Sequence, residues 1–179
     1  MKLSDKCIYY VIINKDKFKD YKNIKDETEM AHLLLEKVMT LFNLKIKNIT
    51  YTEYGKPYFR NSNIYFNYSH SNNYIALGFA TTDIGVDIEE RIVTDLVSDK
   101  YLDSARGKNK LKNWVLKEAY SKLDGRGLSI FKEIDLNKMC CNYKLLRHRD
   151  YMCAIMYKGS KRKLVNIYGG LNEREDKFK

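Results

Sequence analysis

Apolar residues run unbroken through CIYYVII at 7–13, rich in β-branched and aromatic members, and predict a buried strand. The period then changes. Met30, Leu33, Leu34, Val38, Leu41 and Phe42 recur at three- and four-residue steps and predict a helix over 26–43. Asp26, Glu27 and Glu29 stand at its start, where the helix dipole favours acids. A short strand is expected at 46–52, then a loop carrying the lone proline, Pro57, behind Gly55. Residues 64–68 and 73–80 predict two strands around a turn at 69–72, and a third follows at 84–89. Polar, irregular residues at 92–108 suggest loop with a short helix. A second helix is expected at 109–123, stopped by Gly125 and Gly127. Strands are then expected at 130–136, 142–148, 151–157 and 164–168, before a charged tail.

This order hints at a duplication. Each half has a helix, then a glycine followed by a basic residue (Gly55-Lys56, Gly125-Arg126), then strands. The expected fold is α+β, with two similar lobes in pseudo-two-fold arrangement: 1–82, 83–170 and a tail at 171–179. A ligand site is possible at their junction.

Composition narrows the class. At 179 residues and 44% hydrophobic, the chain suits one domain or two small halves sharing a core. No apolar run approaches the roughly 18–20 residues of a membrane span, and residues 1–20 lack a signal-peptide core, so a cytoplasmic address is expected. Four cysteines show neither C-x-x-C pairing nor metal-ligand spacing with the histidines, and are expected to be reduced. The net charge of +10 invites a polyanion, but the lysines are spread evenly. A nucleic acid, an acidic protein and a polyphosphate ligand all fit.

The chemistry concentrates in three stretches. Along GVDIEE the side chains alternate, so Asp87 and Glu89 share a face, roughly 6.5–7 Å apart at Cα. They are either a solvated strand face or oxygen ligands for a hard cation such as Mg²⁺. On the helix LKNWVLKEAYSK, Leu111, Val115, Ala119 and Leu123 form the inward stripe, with Glu118 and Lys122 at its edge and Lys110, Asn113, Lys117 and Ser121 opposite. Glu118 and Lys122 are either an ordinary i,i+4 pair or a third acid aimed at a metal beside a lysine reaching a phosphate. The turn Ser69-His70-Ser71 has no G-x-S-x-G elbow around it. It is either a phosphate cradle or a plain polar turn.

Taken in order, GKPYF, FNYSHS, GVDIEE and WVLKEAYSKLDGRGLS resemble the 4'-phosphopantetheinyl transferases, specifically the Sfp-like branch. The resemblance covers about residues 54–130. Both signature motifs, G-[IV]-D-[IV]-E and W-x-x-K-E-[AS]-x-x-K, stand intact at 85–89 and 114–122. It implies transfer of the phosphopantetheine arm of coenzyme A to a serine of an apo acyl or peptidyl carrier protein, with Mg²⁺. It further implies that Asp87, Glu89 and Glu118 are magnesium ligands, and that Glu118 and Lys122 are the catalytic pair. Lys56, Ser69, His70 and Lys117 become the candidates for binding coenzyme A. Two lobes in one chain suit a monomer. The rival readings are a basic nucleic-acid-binding module and a degenerate transferase that binds coenzyme A without turnover.

Overall fold

A computed structural model describes residues 1–18, 21, 24–45, 48–91 and 108–172. Strand β1 (Cys7–Asn14) sends Tyr9, Val11 and Ile13 to one side and Ile8, Tyr10 and Ile12 to the other. Helix α1 (Glu27–Leu41), capped by Asp26 accepting from the Glu29 amide at 2.9 Å, covers the first set with Leu34, Leu35 and Val38. A small hairpin of β2 (Ile49–Tyr51) and β3 (Pro57–Phe59) follows. Next come β4 (Tyr65–Ser71) and β5 (Tyr74–Ala80), an antiparallel pair whose turn is Asn72-Asn73, with Asn72 at φ 27°.

The second half opens with β6 (Ile84–Glu90), followed by α2 (Lys108–Asp124), β7 (Asn142–Arg147) and β8 (Tyr151–Tyr157). The hydrogen-bonded order β6-β8-β7 repeats the order β1-β5-β4 of the first half. In each half the first strand leads to a helix, then to the far edge strand, and last to the central strand. The expected α+β fold is present, and the hint of duplication has a structural counterpart in this shared strand order.

The two sheets pack back to back. Ile8, Ala76 and Ala80 of the first meet Ile84, Val86, Ile88, Cys153, Ile155 and Tyr157 of the second. The helices lie outside: α2 rests on Met152, Ala154 and Met156 through Leu111, Val115, Leu116, Ala119 and Leu123. Four layers result: helix, sheet, sheet, helix. The chain end crosses back. Strand β9 (Lys163–Asn166) pairs in parallel with β1, and Ile167 with Leu171 of the short α3 (Tyr168–Asn172) joins the core around α1.

Several elements differ from expectation. Residues 130–136 are not a strand. A 3₁₀ turn, Gly127–Ile130, leads into turns there, and Ile130, Phe131 and Ile134 are spaced to cap Trp114 and Tyr120 of α2. Ser69 and His70 lie in strand β4, not in a turn, because β4 stays paired with β5 through Ser71. Lys117 and Ser121 are buried rather than on an outer face, and the Phe131 ring lies against Lys117. Residues 46–47, 92–107 and 173–179, where part of the short strand, the irregular segment and most of the tail were expected, lie outside the described residues. The second helix ends as expected, at Gly125 (φ 98°), whose amide donates to Ser121 at 2.9 Å.

Candidate active site

Among the described residues strand β6 pairs with β8 alone, at the edge of its sheet, so its other side presents backbone groups that need partners. Side chains supply them. Asp83 Oδ1 accepts from the Ile84 amide, Asn67 Oδ1 from the Val86 amide at 2.8 Å, and Ser71 Oγ from the Glu90 amide at 3.2 Å. Asn67, Ser69 and Ser71 are alternate residues of β4 on the face turned away from Phe66, so one polar stripe fastens the two sheets where β4 meets β6.

The face of β6 turned towards α2 holds Gly85, Asp87 and Glu89. A Cβ on Gly85 would come within 2.1 Å of the Ala119 carbonyl oxygen and 2.4 Å of the Leu123 amide nitrogen. Glycine there lets the helix backbone close on the strand, and that closeness brings Glu118 and Lys122 beside Asp87. The Lys122 ammonium donates to Asp87 Oδ1 at 2.7 Å and to Ser69 Oγ at 2.9 Å, and stands 3.6 Å from Glu118 Oε2. Ser69 in turn donates to Asp87 Oδ1 at 2.9 Å. Asp87 is 1% exposed, and among the described residues its Oδ2 has no hydrogen-bond partner.

Three acids so close perturb one another. Burial, then the charges of Asp87 and Glu89 set against Lys122, push Glu118 up to about 7. Burial and Asp87 also raise Glu89, against hydrogen bonds from Ser71 and Trp114. Burial pulls the Lys122 ammonium down, but Asp87 and Glu118 outweigh it and its pKa is raised. Among the described residues no group of three or more His, Cys, Asp or Glu side chains is gathered as a metal cluster. The positive charge among these acids is that of Lys122.

These groups line a cleft of about 450 Å³. Of the residues singled out by sequence, Lys56, Ser69, His70, Asp87, Glu89, Glu118 and Lys122 all border it, and Thr28 at the start of α1 joins them. Lys56 is held tightly: its ammonium donates to Asp83 at 2.6 Å and to the Leu123 carbonyl at 2.8 Å, and burial lowers its pKa against the pull of Asp83. His70 Nδ1 meets Glu27 at 2.7 Å, and burial lowers its pKa although Glu27 opposes this. Lys117 does not line the cleft. Its ammonium lies 5.7 Å from the centre of the Phe131 ring.

Sequence reasoning put Ser71 in a turn and gave Asn67 no role, although a period-two polar stripe, Asn67-Ser69-Ser71, was there to be read. It also missed Trp114, whose indole donates to Glu89 Oε1 at 3.2 Å.

No family model matches the chain. It is 27% identical over 177 residues, covering 87% of its own length and 70% of the relative's, to 4'-phosphopantetheinyl transferase gsp of Aneurinibacillus migulanus. Fold and cleft define an α+β protein with acids and lysines gathered where β4, β6 and α2 meet. In this similarity and in its motif order the chain resembles the 4'-phosphopantetheinyl transferases.

Proposed function

We propose that the chain transfers the 4'-phosphopantetheine moiety of coenzyme A to a serine of an apo acyl or peptidyl carrier protein, with Mg²⁺. One observation supports this above the others: Asp87, Glu89 and Glu118 converge from β6 and α2 on a cleft that also holds Lys122, Ser69 and His70. The donor set suits a hard cation. Among the described residues Asp87 Oδ2 is a buried, unpartnered oxygen, and the neighbouring carboxyls are raised first by burial and then by the charge of Asp87. Asp87, Glu89 and Glu118 would hold the ion. When bound, it would supply charge neutralisation at the pyrophosphate and at the departing oxygen.

The chain's own residues do the rest. Lys122 and His70 meet the phosphates, while Ser69 orients both Lys122 and Asp87. The carrier serine oxygen bonds to the β-phosphorus, the bond from that phosphorus to the 3',5'-ADP oxygen breaks, and 3',5'-ADP leaves. Glu118, at the edge of the cleft beside Lys122, is placed to take the serine proton. Positioning and electrostatics carry most of the rate, as in other phosphoryl transfers.

Among the described residues no helix is long and apolar enough to cross a membrane, and the reading takes the reaction to be cytoplasmic and the protein to be a monomer. The test is incubation with coenzyme A, magnesium and a panel of apo carrier proteins. Mass addition of phosphopantetheine is expected. Retention on nucleic acid with no transfer to any carrier would contradict the proposal.

A further inference from the structure

Glu89 is gripped from two sides by residues outside its own strand. The Ser71 hydroxyl donates to Oε2 at 2.9 Å, and the Trp114 indole donates to Oε1 at 3.2 Å. Ser71 is itself buried and accepts from the Glu90 amide at 3.2 Å. A hydroxyl has one proton, so that of Ser71 is committed to Glu89. The indole is packed against Phe131, with ring centres 5.0 Å apart and planes at 49°, which fixes where its N–H points. Each oxygen of the carboxylate therefore takes one neutral donor, and each keeps acceptor capacity.

Asp87 is treated differently. Its Oδ1 takes Ser69 and the charged Lys122, and Oδ2 takes nothing. Cation and hydroxyl hold Asp87, whereas two neutral donors hold Glu89. Neutral donors orient a carboxylate without cancelling its charge.

We infer that Ser71 and Trp114 are positioning residues: they lock the Glu89 carboxylate so that its remaining lone pairs face the cleft beside Asp87 and Glu118, ready for a cation. This rests on the magnesium reading above. It also gives the tryptophan of the W-x-x-K-E motif a task of its own, separate from packing. Trp114 is the only tryptophan in the chain, so its emission reports on the state of Glu89.

The test is calorimetric titration of magnesium chloride into wild type, Ser71→Ala, Ser71→Thr and Trp114→Phe. Each is saturated with coenzyme A and held without carrier, with thermal melts alongside. Partners of metal ligands typically contribute roughly 10–100-fold to metal affinity. A rise of that size in the magnesium Kd is expected for Ser71→Ala and for Trp114→Phe. Affinity for coenzyme A without metal should stay unchanged. Ser71→Thr, which keeps the hydroxyl, should recover most of the loss. Magnesium should shift Trp114 emission saturably in wild type. Should Ser71→Ala fail to fold, Trp114→Phe decides, because phenylalanine keeps a ring against Phe131 and lacks only the donor. Unchanged magnesium affinity in the folded variants would overturn the positioning role and leave the functional reading standing. Absence of magnesium binding by wild type would overturn both.

Discussion

Strands β1 and β6 hold the same place in the two halves of the molecule, and their chemistry is opposite. Each is first in its half, pairs with the central strand of its sheet, and turns one face to the back of the other sheet. On the face towards its helix, β1 carries Tyr9, Val11 and Ile13, all buried in the core around α1. On the corresponding face β6 carries Gly85, Asp87 and Glu89. In one half the helix is fastened by apolar area. In the other, a missing side chain lets the helix backbone close in, and a charged cluster fills the opening beyond. One half of a duplicated plan keeps its stability, and the other gives some up where the chemistry sits.

Breaking the acidic face should have the largest effect. Asp87→Asn keeps shape and removes the charge that pairs with Lys122 and that the proposed cation would share. Steady-state transfer should fall by roughly 10²–10³-fold, as for other losses of a preorganised electrostatic contact, with the melting temperature changed far less. The close approach is next. Gly85→Ala drives a methyl into the Ala119 carbonyl and the Leu123 amide, backbone atoms that cannot step aside. Overpacking of this kind costs about 1–3 kcal/mol, and denaturant melts should show it together with lost activity.

The cluster's cost to the fold can be measured directly. Glu118 is raised from the usual carboxylate range to about 7, so between about 4.5 and 7 the folded state binds the proton more tightly than the unfolded chain. Stability is therefore gained as pH falls through 7 and lost as pH rises through it. With chelator present, Glu118→Gln should melt higher than wild type above pH 7, by at most about 3 kcal/mol in stability. The difference should vanish near pH 4.5. A variant that is less stable at pH 8 would show that Glu118 supports the fold. The smallest effect is at the surface. Carriers are typically acidic and this chain carries +10, so the association rate with a carrier should drop as salt shortens the Debye length from about 30 Å to about 8 Å. A salt-independent rate would remove steering and leave the chemistry untouched.

What the sequence made legible follows from periodicity. Strands β1, β6 and β8 and both long helices show in the apolar pattern, because each buries a face whose spacing the chain must keep. The site showed because Asp87, Glu89, Glu118 and Lys122 are short-range neighbours within two motifs. The polar stripe of β4 did not. Ser69 and Ser71 look like turn residues and Asn67 like an ordinary strand position, and only the pairing of β4 with β5 and the open edge of β6 give the three one strand and a purpose. Lys117 was misplaced because its cover comes from Phe131, in a segment whose apolar residues imitate a strand, and Ser121 because it borders the cleft. The return of β9 to β1 is a long-range pairing that no local pattern encodes.

The central claim is that the acidic face of β6, closed by α2, carries out phosphopantetheine transfer. Single-turnover reaction of coenzyme A with an apo carrier, followed by mass, tests it most directly when run with magnesium and with chelator on wild type and Asp87→Asn. The account predicts mass gain on the carrier serine for wild type with magnesium, a rate roughly 10²–10³-fold lower for Asp87→Asn, and none in chelator. Transfer by Asp87→Asn at the wild-type rate, or by wild type in chelator, would contradict it.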